Sequence, residues 1–118
     1  MAWTVEMHPA FEAEFHQLSE TVQDAIASRA LLLMRTGPAL GRPFCDTLHG
    51  SGHANMKELR FNAEGGVWRV AFAFDLERKA IILAAGDKAG AHQGRFYKRL
   101  IRIADQRFSD HLKGQEGR

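Results

Sequence analysis

The sequence MKELRF at residues 56–61 is followed, after a short glycine-containing segment, by VWRVAF at residues 67–72, and the predicted fold is built around this pair. Apolar and polar side chains alternate in both stretches, and this is the period of a half-buried β-strand. A four-residue loop at 63–66 would join them into an antiparallel hairpin that sets Arg60 opposite Arg69. The pattern fixes this register, because a shift of one residue would exchange the two faces and bury both arginines.

The two faces of the predicted hairpin differ in chemistry. One face is apolar and is expected to be covered by helices; it carries Leu59, Phe61, Trp68, Val70, Phe72 and Phe74. The opposite face carries Glu58, Arg60 and Arg69, and the small side chains of Ala71 and Ala73 leave open space beside them. This second face is therefore predicted to be a shallow charged floor.

Two arginines side by side on a sheet repel each other unless an anion lies between them. The pairing of Arg60 with Arg69 thus indicates a phosphate-binding site, and Lys88, at the end of the next strand, would lie near one edge of the floor. The alternative is a solvated face on which Glu58 and Asp75 balance the charge, since exposed ion pairs contribute little to stability.

Helices and further strands are predicted on both sides of the hairpin. A short alternating strand at Trp3–Met7 precedes two helices, the first beginning at Pro9 and the second ending at Gly37-Pro38. A loop rich in glycine, proline and histidine then runs to Asn55. Three strands are expected at 57–62, 67–75 and 80–85, and a last helix at about 95–112. This order predicts an α+β fold in which an N-terminal strand and a helical hairpin pack on an antiparallel meander, with a C-terminal helix.

Length and charge limit the possible functions. The 118 residues, 45% of them hydrophobic, suit one domain over residues 1–118 and are too few for two. Residues 1–50 carry three basic and six acidic side chains, whereas residues 51–118 carry thirteen basic and eight acidic ones. A basic second half favours an anionic partner such as RNA, and an uneven but ordinary solvated surface is the alternative.

Several classes of site lack support in the sequence. No stretch approaches the roughly 20 apolar residues of a membrane span and the start lacks a signal peptide, so a cytoplasmic protein without membrane contact is expected. The lone Cys45 is expected to be structural. Glycines between His49 and His53 deny them a shared helical face, and no cysteine or acid completes a ligand set; neither a metal nor a cofactor is expected.

The last helix begins with the basic and aromatic sequence RFYKR at 95–99. Tyr97 is expected to stack on an unpaired base, with phosphates bound by Lys98, Arg99 and Arg102. The alternative is an amphipathic helix in which the aromatic residues only pack. We assign Phe96 to the core on that ground, and Tyr97 to function.

Four motifs together resemble a known family. They are NMKELRF at 55–61, VWRVAFAFD at 67–75, GDK at 86–88 and RFYKRL at 95–100. In this order and spacing the chain is similar, over nearly its whole length, to the RelE/ParE superfamily of type II toxins and in particular to its phage-related HigB-like branch. The resemblance implies a RelE-like fold and a single toxin domain.

The resemblance also implies an activity, a messenger-RNA endoribonuclease that cuts in the ribosomal A site. Carried over by position, the catalytic residues are Glu58, Arg60, Arg69, Lys88 and Tyr97. Glu58 stands where RelE-like enzymes have a lysine, with Lys57 beside it as an RNA contact; the acid either replaces that lysine as proton acceptor or marks a different catalytic detail. In the hypothesised reaction the ribose 2′-hydroxyl attacks phosphorus, Glu58 or Tyr97 takes the proton, and a 2′,3′-cyclic phosphate is released.

Partners and alternatives follow from the same resemblance. It implies a cognate antitoxin, expected to be a helix-turn-helix protein, together with the ribosome and messenger RNA. A ParE-like relative would share the fold but inhibit gyrase. A third possibility is a module that binds RNA or antitoxin without catalysis.

Overall fold

A computed structural model of the chain describes residues 2–116, which form one five-stranded sheet with helices on both faces. The elements are β1 (Val5–Met7), α1 (Pro9–Phe15), α2 (Glu20–Thr36), β2 (Cys45–Thr47), β3 (Lys57–Ala63), β4 (Gly66–Phe74), β5 (Ala80–Asp87) and α3 (Gln93–Glu116), with a short 3₁₀ turn at Gly37–Ala39. The sheet order is β1-β5-β4-β3-β2, with β1 parallel to β5 and the other neighbours antiparallel. The predicted α+β class is confirmed. None of the helices in residues 2–116 combines the length and apolar character needed to cross a membrane.

The β3–β4 hairpin has the predicted register. Arg60 is opposite Arg69, and Asn62 is opposite Val67. The turn is tighter than the predicted four-residue loop, because Ala63 and Gly66 also pair and leave only Glu64 and Gly65 between the strands. Both turn residues have positive φ, 52° and 75°, which matches the type I′ turn favoured by the twist of a two-residue hairpin.

The helical hairpin covers the apolar face of the sheet, as predicted. Leu59, Val70 and Phe72 on this face are fully buried. They form one core with α1 and α2, to which the helices contribute Phe11, Val22, Ile26 and Leu33. The second helix ends at Thr36 as predicted, where Gly37 has a positive φ of 63° and donates its N–H to Leu33 O.

The opposite face is not the open floor that the sequence predicted. Ala71 and Ala73 are fully buried beneath α3, which contributes Leu100, Ala104 and Phe108 to a second core. The prediction was wrong because the small side chains, interpreted as space for a ligand, instead allow a helix to approach the sheet closely. The charged residues on this face are therefore largely covered.

The loop before β3 contains a short strand, β2, that was not predicted. Cys45 pairs with Leu59 and Asp46 pairs with Glu58. Three residues are too few to show a strand period. The rest of the loop is held on α3: Gly52 N donates to Asp105 Oδ2 at 2.8 Å, and His53 Nε2 lies 3.0 Å from Ser109 Oγ.

Two clusters of polar contacts fix α3 against the rest of the fold. Arg107 donates to both carboxylate oxygens of Glu14 in α1, and also to Leu83 O in β5 at 2.8 Å. Further along the helix, His111 Nε2 lies 2.8 Å from Asp75 Oδ2. The position of α3 on the sheet is thus specified along most of its length.

Truncation of the central core residue Leu59 tests this packing. Leu59 is 0% exposed, so Leu59→Ala should lower the free energy of unfolding by about 2–5 kcal/mol through lost burial and an unfilled cavity. Leu31→Ala is the matched control: this side chain is 56% exposed, and the change should stay within about 0.5 kcal/mol. Urea denaturation measures both, and equal losses would contradict the assigned core.

Candidate active site

Four elements bring the five predicted catalytic residues together. Glu58 and Arg60 come from β3, Arg69 from β4, Lys88 from the turn after β5, and Tyr97 from the first half of α3. We call these five residues the charged cluster. It lies on the α3 side of the sheet, where the predicted charged face meets the helix.

Glu58 is the common partner within the charged cluster. Tyr97 Oη donates to Glu58 Oε1 at 3.1 Å, and Arg69 Nε donates to Tyr97 Oη at 3.2 Å. The guanidinium groups of Arg69 and Arg60 also approach Oε1, with Nε–Oε1 distances of 3.5 and 3.7 Å. One carboxylate oxygen of Glu58 thus accepts a hydrogen bond from Tyr97 and forms ion pairs with both arginines.

The other carboxylate oxygen of Glu58, Oε2, is buried. Glu58 is 5% exposed, and its Oε2 has no hydrogen-bond donor among residues 2–116. Arg69, which lies against the same carboxylate, is 6% exposed. A buried acceptor without a donor costs free energy, so it is a candidate for a chemical role.

The pKa values of three cluster residues are displaced in ways that suit proton transfer. Burial raises the pKa of the Glu58 carboxyl, although the Tyr97 hydroxyl and the neighbouring cations act in the opposite direction. Burial also raises the pKa of Tyr97, and the Glu58 charge adds to this effect. Burial lowers the pKa of Lys88, as do the positive charges of Arg69 and Arg60. Glu58 is thereby made a stronger proton acceptor and Lys88 a better donor, while Tyr97 keeps its proton.

The exposed side of the cluster consists of Arg60, Lys88 and Tyr97. The Arg60 side chain is 33% exposed, and Lys88 and Tyr97 are half-buried. Lys88 Nζ lies 5.6 Å from the centre of the Tyr97 ring, which places the ammonium over the aromatic face. An anion that reaches the site from solvent meets these three groups first.

Two acidic residues that the sequence analysis did not single out support the cluster. Asp46 Oδ2 lies 3.9 Å from Arg60 Nη1 and also binds Arg42. Asp87 Oδ1 accepts hydrogen bonds from the backbone N–H groups of Val67 and Ala89, which fixes the turn that carries Lys88. The GDK motif is a sequence signal for Asp87, whereas Asp46 depends on a strand that the sequence does not reveal.

The residues predicted to contact RNA are not all on one surface. Lys57 lies on the opposite side of the sheet from Glu58, beside Trp3 and Phe74, because consecutive strand residues face opposite ways. The structure therefore does not bring Lys57 together with the five predicted catalytic residues. On α3, three exposed basic side chains make no ion pair within residues 2–116, namely Lys98, Arg99 and Arg102.

The remaining candidate residues are accounted for by packing. Cys45 is 1% exposed, and burial raises the pKa of its thiol to about 11, which suits the predicted structural role. Phe96 packs at the second core as predicted, with its ring over Gly86, where an added Cβ would lie 2.8 Å from Phe96 Cε1. No three His, Cys, Asp or Glu side chains in residues 2–116 are grouped so that they could hold a metal ion.

The chain is similar to a described protein family and to two proteins of Mycobacterium tuberculosis. The family of phage derived protein Gp49-like (DUF891) matches residues 13–109. The two relatives are named as candidate toxins: HigB2 is 40% identical over 113 residues, and HigB3 is 41% identical over 109 residues. The matches cover 95% of this chain and 55% of HigB2, and 92% of this chain and 93% of HigB3. The chain thus spans about half the length of one relative and nearly all of the other.

A solved structure has the same arrangement of elements. The Escherichia coli toxin RelE, solved as a mutant in the free state, superimposes with a TM-score of 0.62 over 91% of this chain and 98% of its own. The sequences are 13% identical, so the likeness concerns the fold alone. The predicted RelE-like fold is confirmed.

Substitution of Glu58 by glutamine tests the electrostatic description. A carboxyl whose pKa is raised on folding stabilises the protein below its ordinary pKa of 4.5, and this contribution is lost as the pH rises through the folded-state pKa. Because glutamine mimics the protonated acid, Glu58→Gln should match the wild type at about pH 4 and be more stable than it at about pH 8. Urea denaturation at both pH values measures the difference, with the exposed Glu116→Gln as control. A variant less stable than the wild type at the higher pH would contradict the raised pKa.

Proposed function

The chain belongs to the phage-derived Gp49-like family and to the HigB-like branch of the RelE/ParE superfamily of toxins, and from this premise we propose a ribosome-dependent messenger-RNA endoribonuclease. In this proposal the chain is the toxin of a type II toxin–antitoxin system and acts in the cytoplasm, where ribosomes translate. A small antitoxin, expected to be a helix-turn-helix protein, holds it inactive. The fold alone does not carry this assignment, since one fold supports many functions.

The observation that carries the proposal is the buried Glu58 carboxylate, which is hydrogen-bonded to a tyrosine and surrounded by three cations. Its second oxygen has no hydrogen-bond donor among residues 2–116. RNA can be cut without a metal if one group removes the proton of the ribose 2′-hydroxyl and others stabilise the charge that develops on phosphorus. The charged cluster contains groups suited to both tasks.

We propose that the proton of the ribose 2′-hydroxyl is transferred through Tyr97 to Glu58. The carboxylate is too buried for direct contact with solvent, whereas the half-buried Tyr97 hydroxyl already donates to its Oε1 at 3.1 Å. Tyr97 with a raised pKa is not itself a base, but it can pass its proton to Glu58 while it accepts the proton of the 2′-hydroxyl. The 2′-oxygen then forms its bond to phosphorus.

Charge stabilisation and departure of the leaving group complete the proposed reaction. Arg60 and Arg69 bind the phosphate oxygens, on which negative charge increases in the transition state. Lys88, with its lowered pKa, protonates the 5′-oxygen as its bond to phosphorus breaks. The products are a 2′,3′-cyclic phosphate and a 5′-hydroxyl end.

RNA is proposed to follow the exposed basic side of α3. Phosphates on either side of the cleaved linkage are bound by Lys98, Arg99 and Arg102. The positive charge of these side chains also attracts RNA at long range and speeds its association. Lys57 is not part of this surface because it lies on the other side of the sheet.

Arg60→Ala tests the nuclease assignment with the least risk to folding, since this arginine is the more exposed of the pair. Removal of one charge-stabilising donor should slow cleavage on the order of 100-fold or more. The assay maps messenger ends after incubation with translating ribosomes, and Arg35→Ala, exposed at the end of α2, is the control. Full cleavage by Arg60→Ala would contradict the assigned site. Gyrase inhibition without cleavage would favour a ParE-like activity, and RNA binding alone a non-catalytic module.

The proton relay makes a separate prediction about pairs of substitutions. Tyr97→Phe and Glu58→Gln each interrupt the same path, so the double variant should cleave about as slowly as the slower single variant. Single-turnover cleavage rates measure this coupling. If the two losses multiplied, Tyr97 and Glu58 would be acting independently and the relay would be wrong.

A further inference from the structure

We propose that a pocket beside Trp3, at the end of the sheet where β4 turns into β5, binds an adenine nucleotide. Its volume of about 380 Å³ lies in the range of small-molecule sites, and its lining includes Trp3, Asn55, Lys57, Phe74, Asp75 and Arg78. We call it the Trp3 pocket. Lys57 faces away from its strand neighbour Glu58, so the pocket is separate from the charged cluster. The inference goes beyond the proposed function and does not depend on it.

An aromatic and cationic stack forms one wall of the Trp3 pocket. The backbone N–H of Trp3 donates to Met34 O at 2.7 Å, and its ring meets that of Phe74 edge to face with centroids 5.5 Å apart. The Arg78 guanidinium carbon lies over the Trp3 ring, 5.0 Å from its centre. Arg78 is exposed, so the outward face of its guanidinium is open to a base, and bases stack on arginine planes as they do on aromatic rings.

The turn that presents Arg78 places it in a backbone conformation that glycine adopts more easily. Arg78 has a positive φ of 63°, and hairpin loops normally have glycine at such a position. The turn itself is held by Asp75, whose Oδ1 accepts the backbone N–H groups of Glu77 and Lys79. Because glycine would form the same turn with less strain, the arginine indicates a role for its side chain.

The free charge of the Trp3 pocket is positive. Lys57 and Arg78 form no ion pair within residues 2–116. The Asp75 carboxylate is already bound, since its Oδ2 accepts a hydrogen bond from Gln115 and lies 2.8 Å from His111 Nε2. Its side chain is 0% exposed. A phosphate that enters the pocket is therefore attracted by two cations.

Asn55 adds a group that can distinguish one base from another. It is exposed and lines the pocket beside Lys57. An asparagine amide pairs with N6 and N7 of adenine through two hydrogen bonds. Stacking on Arg78, edge recognition by Asn55 and phosphate binding by Lys57 together suit an adenine nucleotide, either free or unpaired within a single strand.

Fluorescence of Trp3 reports whether the pocket is occupied. The chain has two tryptophans, and Trp68→Phe leaves Trp3 as the only one. This full-length variant is titrated with adenosine monophosphate, cytidine monophosphate, inorganic phosphate and a short acidic peptide. A short strand of deoxyadenylate, which lacks the 2′-hydroxyl needed for the proposed cleavage, is added in a further series. Calorimetric titration of the wild-type chain and of Arg78→Gly with adenosine monophosphate is a second measure that leaves Trp68 in place.

Adenosine monophosphate should quench Trp3 emission and bind about fivefold or more tightly than cytidine monophosphate. Arg78→Gly should weaken its binding about tenfold because the stacking plane is lost. The fold should be retained, since glycine suits the φ of 63°. Lys57→Ala should weaken binding by a similar factor through the lost phosphate contact. Arg95→Ala, an exposed arginine at the start of α3, is the control and should change the affinity less than about twofold.

Three results would each overturn the proposal: no quenching by adenosine monophosphate, equal affinities for the wild type and Arg78→Gly, or the same response to inorganic phosphate or the acidic peptide. Tighter binding of the strand than of the mononucleotide assigns the pocket to single-stranded RNA, and weaker binding assigns it to a free nucleotide; both support the site. The measurement does not involve cleavage, so its failure is distinguishable from failure of the nuclease assignment.

Discussion

Glu58 places a carboxylate that is 5% exposed in the middle of a sheet, and burial of an ionised group without partners would cost several kcal/mol. The surrounding structure offsets this cost through Tyr97, Arg69 and Arg60, all of which converge on one oxygen. The other oxygen has no hydrogen-bond donor in the part of the chain that the structure describes. The site therefore holds a carboxylate whose ionised form is tolerated rather than favoured, which suits the proposed role of Glu58 as proton acceptor.

The helix that buries Glu58 also completes the fold. Because Ala71 and Ala73 are small, α3 packs directly on the sheet, and Phe108 and Leu100 close the second core there. Gly86 allows Phe96 to lie against the strand, which brings the neighbouring Tyr97 to Glu58. Core packing and the chemistry of the site thus depend on the same helix, and a change that moves α3 alters both.

The sequence predicted the parts of this structure that follow from local periodicity. The alternation of apolar and polar residues in MKELRF and VWRVAF was enough to predict the register that places Arg60 opposite Arg69. The glycine after α2 was enough to predict where that helix ends. What it could not predict depends on tertiary contacts. The three residues of β2 are a strand only because β3 lies beside them, and Asp46 reaches Arg60 only through that pairing. The coverage of Ala71 and Ala73 by α3 was missed for the same reason, since small residues favour a ligand and a packed helix equally.

Whether Glu58 is a buried proton acceptor with a raised pKa can be measured by an NMR titration of its side-chain carboxyl carbon. The wild-type chain would be labelled at glutamate carboxyls, with Glu58→Gln used to assign the resonance. We expect the Glu58 carboxyl to titrate above 4.5, the ordinary value for a glutamate. A midpoint at or below that value would show that the arginines and Tyr97 stabilise the carboxylate more than burial destabilises it, and would contradict the proposed role of Glu58 as proton acceptor.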